Sequence, residues 1–361
     1  MKKKLFVIDL VILEEYCNGN CDYCLTKDSS IRDEHLEIVR SGFCHPDAND
    51  LFYYPGTKLY IRLNNLLDTI KKYIDAPIIK VSGGEIFLIP GIVDFIYKLS
   101  SEFFRVQILT NGTLLNLEIV EKIASMKNVH VQVSLDGWSA ISNEARIHNN
   151  VSMQEKIINN IMLLSKYNIP VEINCVLHNR NIPYILETVS EVSKIKSDIK
   201  YIPYPVRGSS SRKYQIRTEQ LEFLDNLIQS YNDFERVLPP YEYLKELRVF
   251  YTNSMKRKGK CVLKDYMCQL FDDGLLVACV NMWTLKIGNI MDCTGSDLIN
   301  QIGVGRISTL LGASKPSLYC RGCFTPWDII NLYFTKTITL NQLTEIPLYR
   351  GLESFIVNLP T

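Results

Sequence analysis

Short aliphatic runs alternate with longer amphipathic stretches up to about residue 210. The runs at 5–13, 78–82, 106–110, 129–134, 171–176 and 199–204 read as strands. The stretches at 62–74, 91–101, 116–126, 152–167 and 183–196 read as helices. Six strand–helix units in succession predict a parallel sheet with right-handed crossovers. A partial barrel and an open doubly wound sheet fit this pattern equally. In both, a site forms at the C-terminal ends of the strands.

Three stretches depart from the alternation. Residues 26–60 hold Cys44, Pro46, Pro55 and several aromatics where the first helix is due. Long loops in compact domains are usually functional or disordered, so this one is a candidate lid, with surface decoration as the rival. The pattern from about 210 to 260 turns helical, most clearly at Glu219–Asn232. The segment 326–361, with Trp327, Tyr333, Phe334 and Phe355, predicts a packed closing helix.

The chain has 361 residues, 40 of them basic and 39 acidic. That length suits a core of about 200–250 residues plus a smaller unit. Balanced charge argues against a nucleic-acid or membrane-surface binder. No apolar run reaches the ~18 residues of a membrane span. The chain opens Met1-Lys2-Lys3-Lys4 without an export signal and carries eleven cysteines. That combination predicts a cytoplasmic, reducing setting and metal chemistry rather than a disulfide framework.

Cys17, Cys21 and Cys24 stand as C-x3-C-x2-C directly after the first apolar run. Thiolates suit iron–sulfur clusters, which normally take four. Three leave one iron open to a substrate or cofactor. Zinc is the rival, but zinc motifs more often use C-x2-C pairs with a distant second pair. With Tyr23 before the third cysteine, the pattern resembles the radical SAM family, in which S-adenosylmethionine chelates the open iron of a [4Fe–4S] cluster. The resemblance favours the partial (β/α)6 barrel over the open sheet.

Further motifs follow the strands. Gly83-Gly84-Glu85 resembles the family's GGE turn. Glycines there let the backbone approach a ligand closely, and Glu85 would accept from the methionine ammonium. Thr110-Asn111-Gly112 resembles the family's TNG turn, and Ser134-Leu135-Asp136-Gly137 its SLDG. By resemblance, Asn111 belongs to the cofactor site and Ser134 meets the ribose or carboxylate. Arg146 pairs with the carboxylate in a planar fork match; an exposed structural arginine is its rival. Asn179 and Asn181 follow the fifth strand. The run Ile202 to Val206 would pack against adenine, and Arg207 would meet substrate or lie on the rim.

The cysteines then return. Cys261, Gly274 and Cys279 stand as C-x12-G-x4-C, and Cys320-Arg321-Gly322-Cys323 follows. This resembles the Twitch form of the SPASM extension, which implies one auxiliary [4Fe–4S] cluster on Cys261, Cys279, Cys320 and Cys323. Cys268 competes with Cys261 but stands too close to Gly274 for the family spacing. A zinc ribbon is the rival for all four.

The expected fold class is α/β: a partial (β/α)6 barrel over 1–210, a helical linker over 211–260, a small Twitch-type iron–sulfur domain over 261–325 and a closing helical segment over 326–361. The resemblance implies an enzyme that cleaves S-adenosylmethionine reductively to a 5′-deoxyadenosyl radical, which takes hydrogen from a substrate. An external electron donor of flavodoxin or ferredoxin type is implied too. A peptide substrate leads, modified by epimerisation or cross-linking as an oxidoreductase or isomerase would. Dehydrogenation of a small natural-product precursor and sulfatase maturation are the alternatives. A leader-recognition domain of about 80 residues is expected to be absent. Epimerisation needs a hydrogen donor, and the thiols of Cys268 and Cys293 are the leading candidates, ahead of Cys175 and Cys44.

Overall fold

The computed structural model describes residues 2–27, 50–259, 261–277, 279, 286–292, 295–302 and 323–359. The strands are β1 (Val7–Ile12), β2 (Ile78–Gly83), β3 (Arg105–Thr110), β4 (Val129–Ser134), β5 (Val171–Leu177), β6 (Ile199–Pro205), β7 (Met267–Phe271), β8 (Leu275–Val277) and β9 (Lys286–Asn289). Every strand read from the sequence is among them. The chain forms two compact units.

The first unit comprises residues 1–18, 26–109 and 262–320. All six residues of β1 are buried, as a strand covered on both faces requires. It pairs in parallel with β2 from Val7↔Ile78 to Ile12↔Gly83. On its other side it pairs in parallel with β7, from Val7↔Met267 to Val11↔Phe271. β8 and β9 continue outward as antiparallel neighbours. The segment after residue 262 thus adds strands to the first half of the chain. Alternation separates two faces: Asp9, Lys80, Gln107 and Gln269 share one register row. Asp9 binds Lys80 at 3.5 Å and accepts from Ser82 at 3.1 Å. Ile8, Ile79, Val106 and Cys268 occupy the apolar face.

The two longest described helices of that unit are α1 (Lys58–Tyr73) and α2 (Ile92–Glu102). The Thr57 side chain caps α1 by accepting from Tyr60 N. Leu59, Leu63, Leu66, Leu67 and Ile70 repeat at helical spacing and are buried. Each contributes about 1.5–3 kcal/mol of burial; Leu66→Ala would cost about 2–5 kcal/mol.

The second unit comprises residues 19–25, 110–261 and 321–361. There β4, β5 and β6 run in parallel, with Ser134↔Asn174 and Val176↔Tyr204 in register. Its helices include α3 (Leu117–Ala124), the single turn α4 (Glu144–Ile147), α5 (Val151–Lys166), α6 (Ile185–Ser193), α7 (Leu221–Gln229) and α8 (Tyr241–Thr252). Arg248 clamps α8 to α7 through a forked pair with Asp225, at 2.7 and 3.0 Å. The expected closing helix is instead three short ones: α9 (Asp328–Phe334), α10 (Leu340–Thr344) and α11 (Glu353–Val357). Left-handed backbone at Lys336 and Gly351 breaks the run, and Thr339 with Gln342 restarts it through a capping box.

Candidate cofactor site

In the first unit, the chain leaving β1 meets the turn leaving β2. Gly84 N donates to Leu13 O at 3.2 Å, and Glu85 N to Tyr16 O at 2.8 Å. A Cβ on Gly84 would stand 2.1 Å from Tyr16 O and 3.0 Å from Cys17 N. On Gly83 it would stand 1.9 Å from Ile12 O. Both glycines are therefore demanded by backbone packing against the strand that delivers Cys17. Glu85 is buried, and its Oε1 accepts from Phe87 N at 3.2 Å. One carboxylate oxygen thus caps its own turn.

Beside this turn lies a carboxyl that the motifs did not flag. Burial, then the charge of Asp272, pushes the Glu14 pKa up to about 7. Asp272 is itself buried and paired with Arg62.

The cysteine loop then passes into the second unit. Cys24 N donates to Cys21 O at 3.2 Å, and Asp22 N to Ala145 O at 2.9 Å. Tyr23, Ala145, Val176, Val206 and Tyr214 form an apolar cluster against which Cys21 and Tyr204 pack. Behind it Asp136 is buried and saturated. Its Oδ1 accepts from Val176 N at 2.9 Å and from Arg146 Nη2 at 3.2 Å, and its Oδ2 from the Tyr23 hydroxyl. Arg146 Nη1 points at Cys21 Sγ, 3.6 Å away. Burial works against the Arg146 charge, but Asp136 and then Cys21 outweigh it and raise its pKa. The guanidinium therefore remains charged inside the protein. Its carbon also lies 5.7 Å from the Tyr23 ring centroid.

The sequence placed Asp136 and Arg146 in this neighbourhood but gave no sign of their shared partner. The turn that carries them is pinned by Asn143 and Gln154. Asn143 Oδ1 accepts from Asp136 N at 3.1 Å, and Gln154 donates to Gly137 O and Trp138 O. Asn111 braces its own turn by accepting from Thr113 N at 2.9 Å. Ser134 ends β4, partly exposed. Asn181 donates to Asp136 O at 3.0 Å, so it serves the same turn.

Of the later cysteines, Cys261 and Cys323 lie in the second unit near a buried polar knot. Asn331 Nδ2 donates to Cys261 Sγ at 3.8 Å and to Asp328 Oδ1 at 2.9 Å. Arg257 Nε donates to Cys323 O at 3.1 Å and pairs with Asp328. Cys279 is partly exposed in the first unit. Cys44, Cys293 and Cys320 lie outside the described residues, as does most of the 26–60 lid candidate. Cys268 is fully buried on the apolar face of β7, and burial then Asp9 pushes its thiol up. Cys175 is equally buried in β5, on the face opposite Asn174 and Val176.

Among the described residues, no three Cys, His, Asp or Glu side chains are gathered closely enough to hold a metal ion. The cysteine loop nonetheless suits an iron–sulfur centre in its donor chemistry. It offers three thiols, one with a buried cationic N–H donor at its sulfur. No helix among the described residues is long and apolar enough to cross a membrane.

The chain is similar to several known proteins. The uncharacterised protein MJ0907 of Methanocaldococcus jannaschii is 25% identical over 322 residues, 88% of this chain and 94% of its own. The AdoMet-dependent heme synthase of Methanosarcina barkeri is 28% identical over 50% of each chain. The sporulation killing factor maturation protein SkfB of Bacillus subtilis is 30% identical over 31% of this chain and 27% of its own. In fold, anSMEcpe with bound AdoMet and the Cp18Cys peptide superposes at a TM-score of 0.58 and 16% identity, over 98% of both chains. The mixed α/β fold with parallel strands is thus the one expected of a partial barrel. The radical SAM superfamily profile matches residues 11–192, half of the chain, and the protein belongs to that superfamily.

Proposed function

We propose that this radical SAM enzyme modifies a peptide, with Cys17, Cys21 and Cys24 as the three thiolate ligands of a [4Fe–4S] cluster. The observation that carries the reading is the closure of the Gly83–Glu85 turn on the strand that delivers Cys17. Cluster and S-adenosylmethionine together supply a radical able to take a hydrogen atom from carbon. The protein's part is to bind, orient and shield. Gly83 and Gly84 bring backbone close to the methionine end, and the Glu85 carboxylate is the acceptor for its ammonium. By the family resemblance, Asn111, Ser134 and Arg146 are further cofactor-binding residues, Arg146 with guanidinium N–H groups beyond those given to Asp136 and Cys21.

In the same reading Cys261, Cys279, Cys320 and Cys323 hold a Twitch-type auxiliary cluster, and an external ferredoxin or flavodoxin delivers electrons. Iron analysis should return about eight atoms per chain with both [4Fe–4S] sites full. Four iron with one zinc would replace the auxiliary cluster by a ribbon. Cys268 and Cys293 remain the candidate hydrogen donors. Cys268 has no exposed surface.

The peptide substrate is supported by the peptide-bound neighbour of the same fold and the maturation protein among the relatives. The likeness to a heme synthase favours a second reading, a small-molecule substrate. Reduced, reconstituted enzyme should be incubated with S-adenosylmethionine in deuterated water, with a peptide library and, separately, porphyrin precursors. A peptide product gaining one mass unit marks epimerisation. Loss of two marks cross-linking or dehydrogenation. Turnover of the precursors alone would refute the peptide reading.

A further inference from the structure

We propose that Asp136 and Arg146 are positioning residues that set the reduction potential of the iron–sulfur centre on the cysteine loop. This inference rests on the reading of Cys17, Cys21 and Cys24 given above. Arg146 Nη1 lies 3.6 Å from Cys21 Sγ, and Nη2 lies 3.2 Å from Asp136 Oδ1. The Arg146 side chain is 10% exposed and that of Asp136 0%. Water therefore screens neither charge.

Asp136 is placed to hold this arrangement. The Tyr23 hydroxyl, Val176 N and Arg146 all donate to it. Tyr23 stands next to Cys24 in the chain and Arg146 reaches Cys21, so one carboxylate anchors the loop at two points. Asn in its place would keep a carbonyl acceptor for the loop while removing the negative charge.

The electrostatic consequence has a sign. One-electron reduction of such a centre would add one negative charge, spread over its irons and sulfurs, part of it at the Cys21 sulfur. A guanidinium N–H at Cys21 Sγ stabilises that reduced form and raises the potential. Asp136 opposes this by neutralising Arg146. Arg146→Met should therefore lower the potential, and Asp136→Asn should raise it. Tyr23→Phe deletes one bond to Asp136 without changing any charge, so its shift should be the smallest.

The test is a redox titration followed by electron paramagnetic resonance on the full-length, anaerobically reconstituted protein. The signal to follow is the one that changes when S-adenosylmethionine is added, which separates it from any auxiliary cluster. R146M should make the centre about tenfold harder to reduce, about 59 mV for a one-electron couple. D136N should shift it the opposite way, and R146K should fall between wild type and R146M. Opposite signs for R146M and D136N support the proposal. Equal signs, or both variants at the wild-type value, overturn it. If R146M fails to retain iron, D136N decides: a value at or below wild type overturns the proposal. A wild-type protein whose signals all ignore S-adenosylmethionine refutes the reading of the cysteine loop instead.

Discussion

The two ends of the chain that bring cysteines into the second unit use similar parts differently. At Cys21 a buried Arg–Asp pair places its cation on the sulfur itself, 3.6 Å away. At Cys261 and Cys323 there is again a buried Arg–Asp pair, Arg257 with Asp328. Here, however, the arginine serves the Cys323 carbonyl, and the amide of Asn331 meets the Cys261 sulfur. A charged donor and a neutral donor differ about twofold in strength. On the proposed reading of these cysteines, a charge would set the electron affinity of a centre at Cys21 and a dipole that of a centre at Cys261.

The comparison breaks first at its thiols. Replacing Cys17, Cys21 and Cys24 together by Ala should abolish 5′-deoxyadenosine formation and halve the iron content. Iron falling to zero would show that the two cysteine groups are not independent. Undiminished cleavage would remove the first site's role altogether.

Next in size is Gly84→Ala. The new methyl collides with Tyr16 O and Cys17 N, and both are backbone atoms that cannot rotate away. The loop must shift. We expect about a hundredfold loss in 5′-deoxyadenosine production, since misplacement of about 1 Å commonly has that effect. Iron at the later cysteines should be unchanged, and wild-type rates would mean that the turn does not brace the loop.

These contrasts differ in how far the sequence announced them. The aliphatic runs of β2 to β6 were legible because each is followed by a stretch of helical period, and that of β1 because it is apolar throughout. The glycines were legible because a motif of three adjacent residues carries them. β7 was not: it spans five residues, includes Cys268 and Gln269, and has no helix after it. Its partner β1 supplies the burial that selects it. The Asp136 knot was hidden for a different reason. Tyr23 and Asp136 are 113 positions apart, and Arg146 and Cys21 are 125 apart. Only the fold brings such pairs together, and no periodicity encodes them. The amide at Cys261 belongs to the same class, since Asn331 follows 70 residues later.

The first site also carries a carboxyl that titrates near neutrality. Glu14 has its pKa raised by burial, then by Asp272, from 4.5 to about 7. The folded protein therefore binds this proton more tightly than the unfolded chain does. The associated stability is fully present below pH 4.5 and is lost as pH rises through 7. A shift of that size corresponds to about 3 kcal/mol, or about 2 kcal/mol once partial exposure is allowed for. Glu14→Gln should flatten the dependence of Tm on pH over that interval and stabilise the protein at pH values above it. A profile parallel to wild type would mean that Glu14 ionises freely.

The smallest expected effect tests the comparison most directly. Asn331→Leu keeps approximate size and removes the amide from Cys261 Sγ. It also leaves Asp328 without the 2.9 Å bond from Asn331, while the ion pair with Arg257 still holds that carboxylate. Losing a neutral N–H donor at 3.8 Å removes a dipole rather than a charge. The potential of the auxiliary signal, the one indifferent to S-adenosylmethionine, should fall, but by less than R146M lowers that of the first site. Melting temperature and iron content should be followed in parallel, because outer-shell amides also affect metal retention. A shift equal to or larger than that of R146M would mean that distance and charge at the sulfur do not rank the two sites. The arginine's advantage at Cys21 would then lie in holding the loop in place rather than in its field.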